Sequence, residues 1–498
     1  MKRPFTGLRG RPPSGRYDAV VIGTGVGGLV CANLLARDGL RVLLVEQHYM
    51  AGGYCSTFRR KGYTFDAATH FYPLLGNPST LTGRLLADLG VGTDAWIKMD
   101  PVDQFHDPDG ARFAVPADLD RYRAALDAAF PHERDGLERF FEDVHRAYLA
   151  GLLYYFRGQD SDRLDPYRRL TLRDAIDRHI ADRRLRLLLA ADCGHWGSPP
   201  SRISFVFDAM LRLAYFLGNY YPRGGSQAFA DALAASFEAR GGDVLMQAEV
   251  TRILVERGHA AGVEIDSGRP GARVRTRVQA DVVVSNGDLV HTLERLLPDE
   301  PSVAVHRDRA RRLRPSLPCF LLHMGVSGVP TESLAAAHGY HWSSWDSDDV
   351  ATHAFKIFVP TLYEPAMAPP GGHVVIVQKL TTTAADKTAV ERAILQRLEE
   401  ILPGFARAIV TRHSASAMTS ERFTLNRDGA MLGWEMSPDQ LGEARPSIDG
   451  PLPGLYFVGH WVQPGGGVTP VIVSALRAAD DIVHGAGHRR AAVAAELP

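Results

Sequence analysis

Six positions, Gly23-Thr24-Gly25-Val26-Gly27-Gly28, stand between an apolar β-branched run, Asp18–Ile22, and a helical pattern that stops at Gly39. Gly23 permits a tight turn, Gly25 lets the backbone close on a pyrophosphate, and Gly28 lets the next helix pack on the sheet. The first turn of that helix offers free N–H groups and a partial positive charge to phosphate oxygens. Arg41–Glu46 reads as a second buried strand ending in an acid, placed to accept from ribose hydroxyls. A carboxylate there disfavours a phosphorylated ribose, so FAD or NAD is expected over NADP. Gln47 and then Gly52-Gly53-Tyr54 follow. A second glycine pair suits close backbone approach to an extended cofactor, which favours FAD.

Two further stretches carry candidate chemistry. Leu455-Tyr-Phe-Val-Gly459-His460 is a buried strand turning at glycine, and Gly465-Gly466-Gly467-Val468 leads to a final helix expected over Val471–His484. The positive end of such a helix, set beside an isoalloxazine, stabilises the anionic reduced ring. His70 lies in Gly62–Tyr72, a strand entering a loop. His70 and His460 are the candidate catalytic groups, because imidazole donates, accepts and changes charge near neutral pH. His338 and His341 lack further ligands, so no metal site is expected.

These residues need a scaffold larger than one small core, and 498 residues imply two or more domains. A formal net charge of −1 gives no electrostatic case for nucleic acid. Cys31, Cys55, Cys193 and Cys319 lie far apart without a CxxC, which fits a reducing cytoplasm rather than zinc or disulfides. The basic start MKRPFTGLRGRPPSGR mimics a signal peptide, but cleavage after the following apolar run would destroy the glycine motif. Residues 1–15 read as a disordered leader, and no apolar run is long enough to span a bilayer.

Composition shifts set the domain bounds. Residues 16–115, 222–295 and 435–498 are expected to form a discontinuous cofactor domain, and 116–221 with 296–434 a substrate domain. The stretch 116–220 is helical by period and dense in aromatics, among them Phe140, Phe141, Tyr154, Phe205, Phe207 and Tyr215, with arginines between. It reads as a helical aromatic core or, alternatively, as a greasy tunnel with a basic lip on a membrane. Residues Ala389–Leu402 form an amphipathic helix beside strand-like Cys319–Met324 and His373–Gln378.

Taken together, Tyr221-Pro-x-Gly-Gly, Gly262-Val-Glu-Ile, Val284-Ser-Asn286, Thr419–Asn426, Gly433-Trp434-Glu435 and Leu455–Gly459 resemble segments of the FAD-dependent phytoene desaturases, carotenoid isomerases and retinol saturases, in family order. The later segments look more like the isomerase and saturase branch. The resemblance implies an α/β two-dinucleotide-binding-domain flavoprotein, with a Rossmann-type FAD domain and a mixed-sheet plus helical substrate domain. It also implies hydride exchange between flavin N5 and a carbon of a lipophilic polyene drawn from a membrane surface. By the same carry-over Gly23, Gly25, Gly28, Glu46, Gly52 and Gly53 hold the ADP half, and Val250 meets the adenine. Gly459, Gly466, Gly467 and Val468 then flank the flavin. Many flavoproteins of this architecture carry an acid where this chain has His460. Amine oxidation, or oxidation of a secondary metabolite, is the alternative reading; the intact fingerprint argues against a non-catalytic scaffold.

Overall fold

The computed structural model describes residues 15–156, 159–268 and 273–485. Most of the leader expected over residues 1–15 lies outside them. Apolar runs of β-branched residues buried on both faces make parallel strands, and five occur in the first sheet. Their order is Asp243–Met246, Val42–Glu46, Tyr17–Ile22, Val274–Ser285 and Leu455–Phe457. The first half of Val274–Ser285 instead pairs antiparallel with His259–Ser267, which pairs with Ala248–Glu256. Helix Val26–Arg37 is buried from Val26 through Ala36, and it packs against helices Ser226–Ala239 and Val468–His484.

The second sheet also has seven strands, in the order Ile409–Ala415, Cys319–Ser327, Gly372–Leu380, Ala354–Phe358, Gly339–Trp342, Asp103–His106 and Arg112–Val115. All pairs are antiparallel except Gly339–Trp342 with Asp103–His106. Residues 103–115 therefore pair in the second sheet, outside the first sheet with which the bound at 115 had grouped them. The pairing of Tyr340 with Phe105 joins segments more than two hundred positions apart, a link no local pattern carries. The bound at 434 is also not a clean cut: Trp434 packs in the core of the first sheet and Met436 in that of the helices.

Helices Leu119–Ala129, Arg134–Gly151, Leu172–His179, Arg183–Ala190 and Phe205–Phe216 fill the stretch read as helical. Their aromatics form a core in which Phe140, Phe205 and Trp196 are buried. Arginines between them are largely paired, Arg168 with Asp160 and Arg184 with Asp107. The buried aromatics form the core that one of the two readings expected. Two helix starts differ from expectation. Lys387–Ile401 begins earlier because Asp386 accepts from Thr388 N and Ala389 N. The last helix begins at Val468, since Pro470 sits in a first turn whose N–H groups need no helical partner.

Candidate functional site

One cavity of about 660 Å³ runs between the two sheets. At one end it is lined by Gly23, Gly25, Val26, Gly27, Glu46, Gln47, Gly52, Gly53, Tyr54 and Val250, and further in by His70, Gly459, His460, Gly466, Gly467 and Val468. Thr24 and Gly28 do not line it. Thr24 is fully buried, and its N and Oγ1 both donate to Glu46 Oε2, at 2.8 and 2.6 Å. Gly28 is a packing position: a Cβ there would lie 2.1 Å from Gly23 O.

Glu46 is held rather than free. Its Oε1 accepts from His48 N at 2.8 Å, so Thr24 and His48 aim the carboxylate while part of its acceptor capacity stays available. The loop carrying the second glycine pair is tied to the first by Gly52 N donating to Thr24 O at 3.0 Å. Backbone and an acid thus converge where an ADP moiety would need them, and the fingerprint residues fit a dinucleotide.

At the inner end, the N-terminus of Val468–His484 is fixed by Thr469 Oγ1 donating to Pro73 O at 2.8 Å. That bond joins the helix start to the segment bearing His70. His70 is 4% exposed; its Nδ1 lies 3.0 Å from Ala68 O, so the proton is on Nδ1. Its buried Nε2 has no hydrogen-bond partner among the described residues, and the ring stacks on Phe358 at 4.4 Å. Burial, reinforced by the Lys356 charge, pushes its pKa down to about 3. His460 Nε2 donates to Asn426 Oδ1 at 3.2 Å, and burial with the nearby Arg445 cation takes it to about 3. Both candidate histidines are on the cavity wall, but both are neutral near pH 7. The expected change of charge near neutral pH is corrected: enclosure in protein removes it.

Several residues of the site are given no role there by the sequence reading. Asn286, at the end of the long strand, is wedged among the glycines. A Cβ on Gly25 would lie 2.7 Å from its Nδ2, and one on Gly27 2.6 Å from its Oδ1. The motif's glycines therefore also make room for this amide. Arg445 is fully buried and donates to the carbonyls of Trp434, His460 and Val462, bracing the loop at His460. The Tyr221-Pro-x-Gly-Gly motif acts on the wall from behind. Tyr221 donates to Asp66 Oδ2 at 2.5 Å and Ser226 N to Asp66 Oδ1 at 2.8 Å, locking the segment that leads to His70. His195, Trp196, Phe207, Leu211 and Tyr215 close the inner end. Their signal, an aromatic-rich helical stretch, does not tell lining residues from core. Among the described residues no group of His, Cys, Asp or Glu is placed to hold a metal ion.

The family model for flavin containing amine oxidoreductases matches residues 26–483. Among curated relatives, prolycopene isomerase 2 (chloroplastic) of an Oncidium hybrid cultivar is 28% identical, over 96% of this chain and 85% of its own length. The neurosporene-forming phytoene desaturase of Cereibacter sphaeroides is 28% identical over 93% of this chain and 94% of its own. These matches bear out the resemblance read from the motifs. Among solved structures, an oxidoreductase from Methanosarcina mazei superposes with a TM-score of 0.64 at 20% identity, covering 92% of this chain and 99% of its own. That last likeness speaks for the fold.

Proposed function

We propose that this chain, which belongs to the flavin containing amine oxidoreductase family, is an FAD-dependent oxidoreductase acting on carbon–carbon bonds of a lipophilic polyene. FAD rather than a mononucleotide is favoured by the span of the cavity from Glu46 and Val250 to Val468. Bound there, the flavin supplies hydride exchange at N5.

The observation that carries the substrate reading is the distribution of charge on the cavity wall. Its carboxylates, Glu46, Glu249 and Asp288, all stand on segments of the nucleotide-binding sheet and its connections. The inner end offers Phe71, Trp196, Phe207, Leu211, Tyr215 and Leu321. A long apolar chain gains from that lining, whereas an alkylammonium would be stripped of water with no counter-charge. The named relatives, a prolycopene isomerase and a phytoene desaturase, point to the same class.

A membrane surface as the source of substrate has support at the cavity opening. Helix Ala417–Thr424 borders the cavity and exposes Met418 by 77% and Phe423 by 51%, near Tyr49 at 48%. Among the described residues no helix is long and apolar enough to cross a membrane, so contact would be peripheral. The functional test is product analysis after incubation with a panel of polyenes and a panel of primary amines, with flavin oxidised and pre-reduced. A product altered at a carbon–carbon bond is expected; aldehyde and ammonia from amines alone would overturn the reading.

A further inference from the structure

Behind the inner wall lies a buried chain of polar groups that the flavin-binding parts do not use. Lys356 is fully buried on the second sheet. Its Nζ donates to Asp103 Oδ2 at 2.6 Å and lies 3.0 Å from His195 Nε2. Tyr340, paired in register with Lys356 on one side and Phe105 on the other, presents its ring 5.0 Å from the ammonium, and Phe71 does so at 4.6 Å. The ammonium is thereby accounted for: one carboxylate, one imidazole and two aromatic faces.

This arrangement fixes the next proton. A lysine ammonium has only donors, so His195 Nε2 is the acceptor and the ring proton sits on Nδ1. His195 Nδ1 lies 3.2 Å from the Tyr215 hydroxyl and donates to it. Tyr215 is 5% exposed and lines the cavity, and no protein acceptor for its own proton is seen among the described residues. Buried hydroxyls are ordinarily satisfied; this one accepts from His195, and its own proton is left for a group in the cavity that it lines. The ring is held in place by Phe71 at 5.0 Å and Trp196 at 6.2 Å. Near it, 6.3 Å from the His195 ring centroid, is His70.

We propose that Tyr215 is the proton-transfer residue of the cavity, and that His195, Lys356 and Asp103 are the positioning residues that orient its hydroxyl and stabilise its phenolate. The proposal rests on the polyene reading. Adding hydrogen across a C=C bond takes one hydride, supplied by the flavin, and one proton. In the chain's half of that step the Tyr215 O–H bond breaks and a C–H bond forms at the neighbouring carbon. The phenolate oxygen is held by the hydrogen bond from His195 Nδ1, with the Lys356 ammonium behind the ring, and regains its proton from water entering the cavity that Tyr215 lines. Removing hydrogen runs the same transfers in reverse.

The test uses the flavin-loaded enzyme and a polyene it converts. Tyr215→Phe keeps the ring packing, and kcat is expected to fall by about 10²–10⁴-fold, with KM within threefold. A Tyr215→Phe enzyme that matches the parent in kcat overturns the proton-transfer role. A parent inert toward every polyene in both flavin states overturns the functional reading instead, and the role of Tyr215 with it. A readout independent of turnover is the ¹⁵N spectrum of labelled histidine, with His195 assigned by its loss in His195→Gln. A neutral ring protonated at Nδ1 from pH 5 to 8 is expected. An Nε2–H tautomer or an imidazolium at pH 7 overturns the arrangement. The paired variant Asp103→Asn/Lys356→Met removes both buried charges together. It is expected to shift His195 toward mixed tautomers, since the donor to Nε2 is gone, and to lower kcat with KM little changed, whereas a pair that only supports packing would leave tautomer and kcat as they are.

Discussion

Glu46 shows how one side chain is prepared for a ligand before the ligand arrives. Thr24 and His48 N fix both carboxylate oxygens, so little is lost in ordering the group on binding. Glu46→Ala is expected to weaken flavin binding by about 1.5–3 kcal/mol, the value of hydrogen bonds to a charged group, read as a roughly ten- to 150-fold rise in Kd by flavin fluorescence. The buried neutral histidines make a second prediction. His70 and His341 are pushed down to about 3, and His323 to about 4, in each case chiefly by burial. Unfolded, each takes a proton near pH 6.5, so the unfolded state binds more protons below that pH. Stability is therefore full above pH 6.5 and is lost as pH falls toward 3–4, by about 1.4 kcal/mol per pH unit per histidine. Urea midpoints at pH 7 and pH 5 measure the slope; a midpoint that rises on acidification contradicts it. Glu46 and the glycines were legible because the motif is contiguous and every residue type in it has a local reason. Tyr215, His195 and Lys356 were not, because their meaning comes only from meeting across three separate segments.

Among elements, the strand–turn–helix unit was the most readable, since periodicity changes sharply at Gly23 and an acid closes the next strand. Its tightest point is testable. Gly28→Ala places a methyl 2.1 Å from Gly23 O, and the helix must shift by more than an ångström. A cost of about 1–3 kcal/mol is expected from overpacking, together with loss of bound flavin in the purified protein. A flavin-loaded Gly28→Ala enzyme with parental Tm would contradict the packing account. The second sheet was less readable: strands such as Gly372–Leu380 announce themselves, but partners and register do not. Its Asp103–Lys356 pair gives a prediction at this scale. Lys356→Met leaves a carboxylate buried without its cation and is expected to cost about 3–5 kcal/mol, while Asp103→Asn/Lys356→Met recovers most of that. Thermal melts of the three proteins decide it, and equal melting of single and double variants would contradict it.

Across the whole molecule, the two seven-stranded sheets both line one cavity, and residues of the helical aromatic region line it too. Each excursion from the first sheet returns to it, so the site is assembled from segments spread over nearly the full chain. This explains why the cofactor end was legible in the sequence and the substrate end was not. The former is built from a few short motifs with fixed backbone demands, the latter from side chains whose types serve equally well as core. The same geometry sets the sharpest test. Purified enzyme is made anaerobic, and polyene is added to the oxidised and to the pre-reduced flavin while its absorption band is followed and products are separated. The account predicts a response in at least one flavin state: bleaching with a desaturated product, or conversion of the polyene once the flavin is reduced. No spectral change and no altered polyene in either state, with rapid bleaching by an amine, would contradict it.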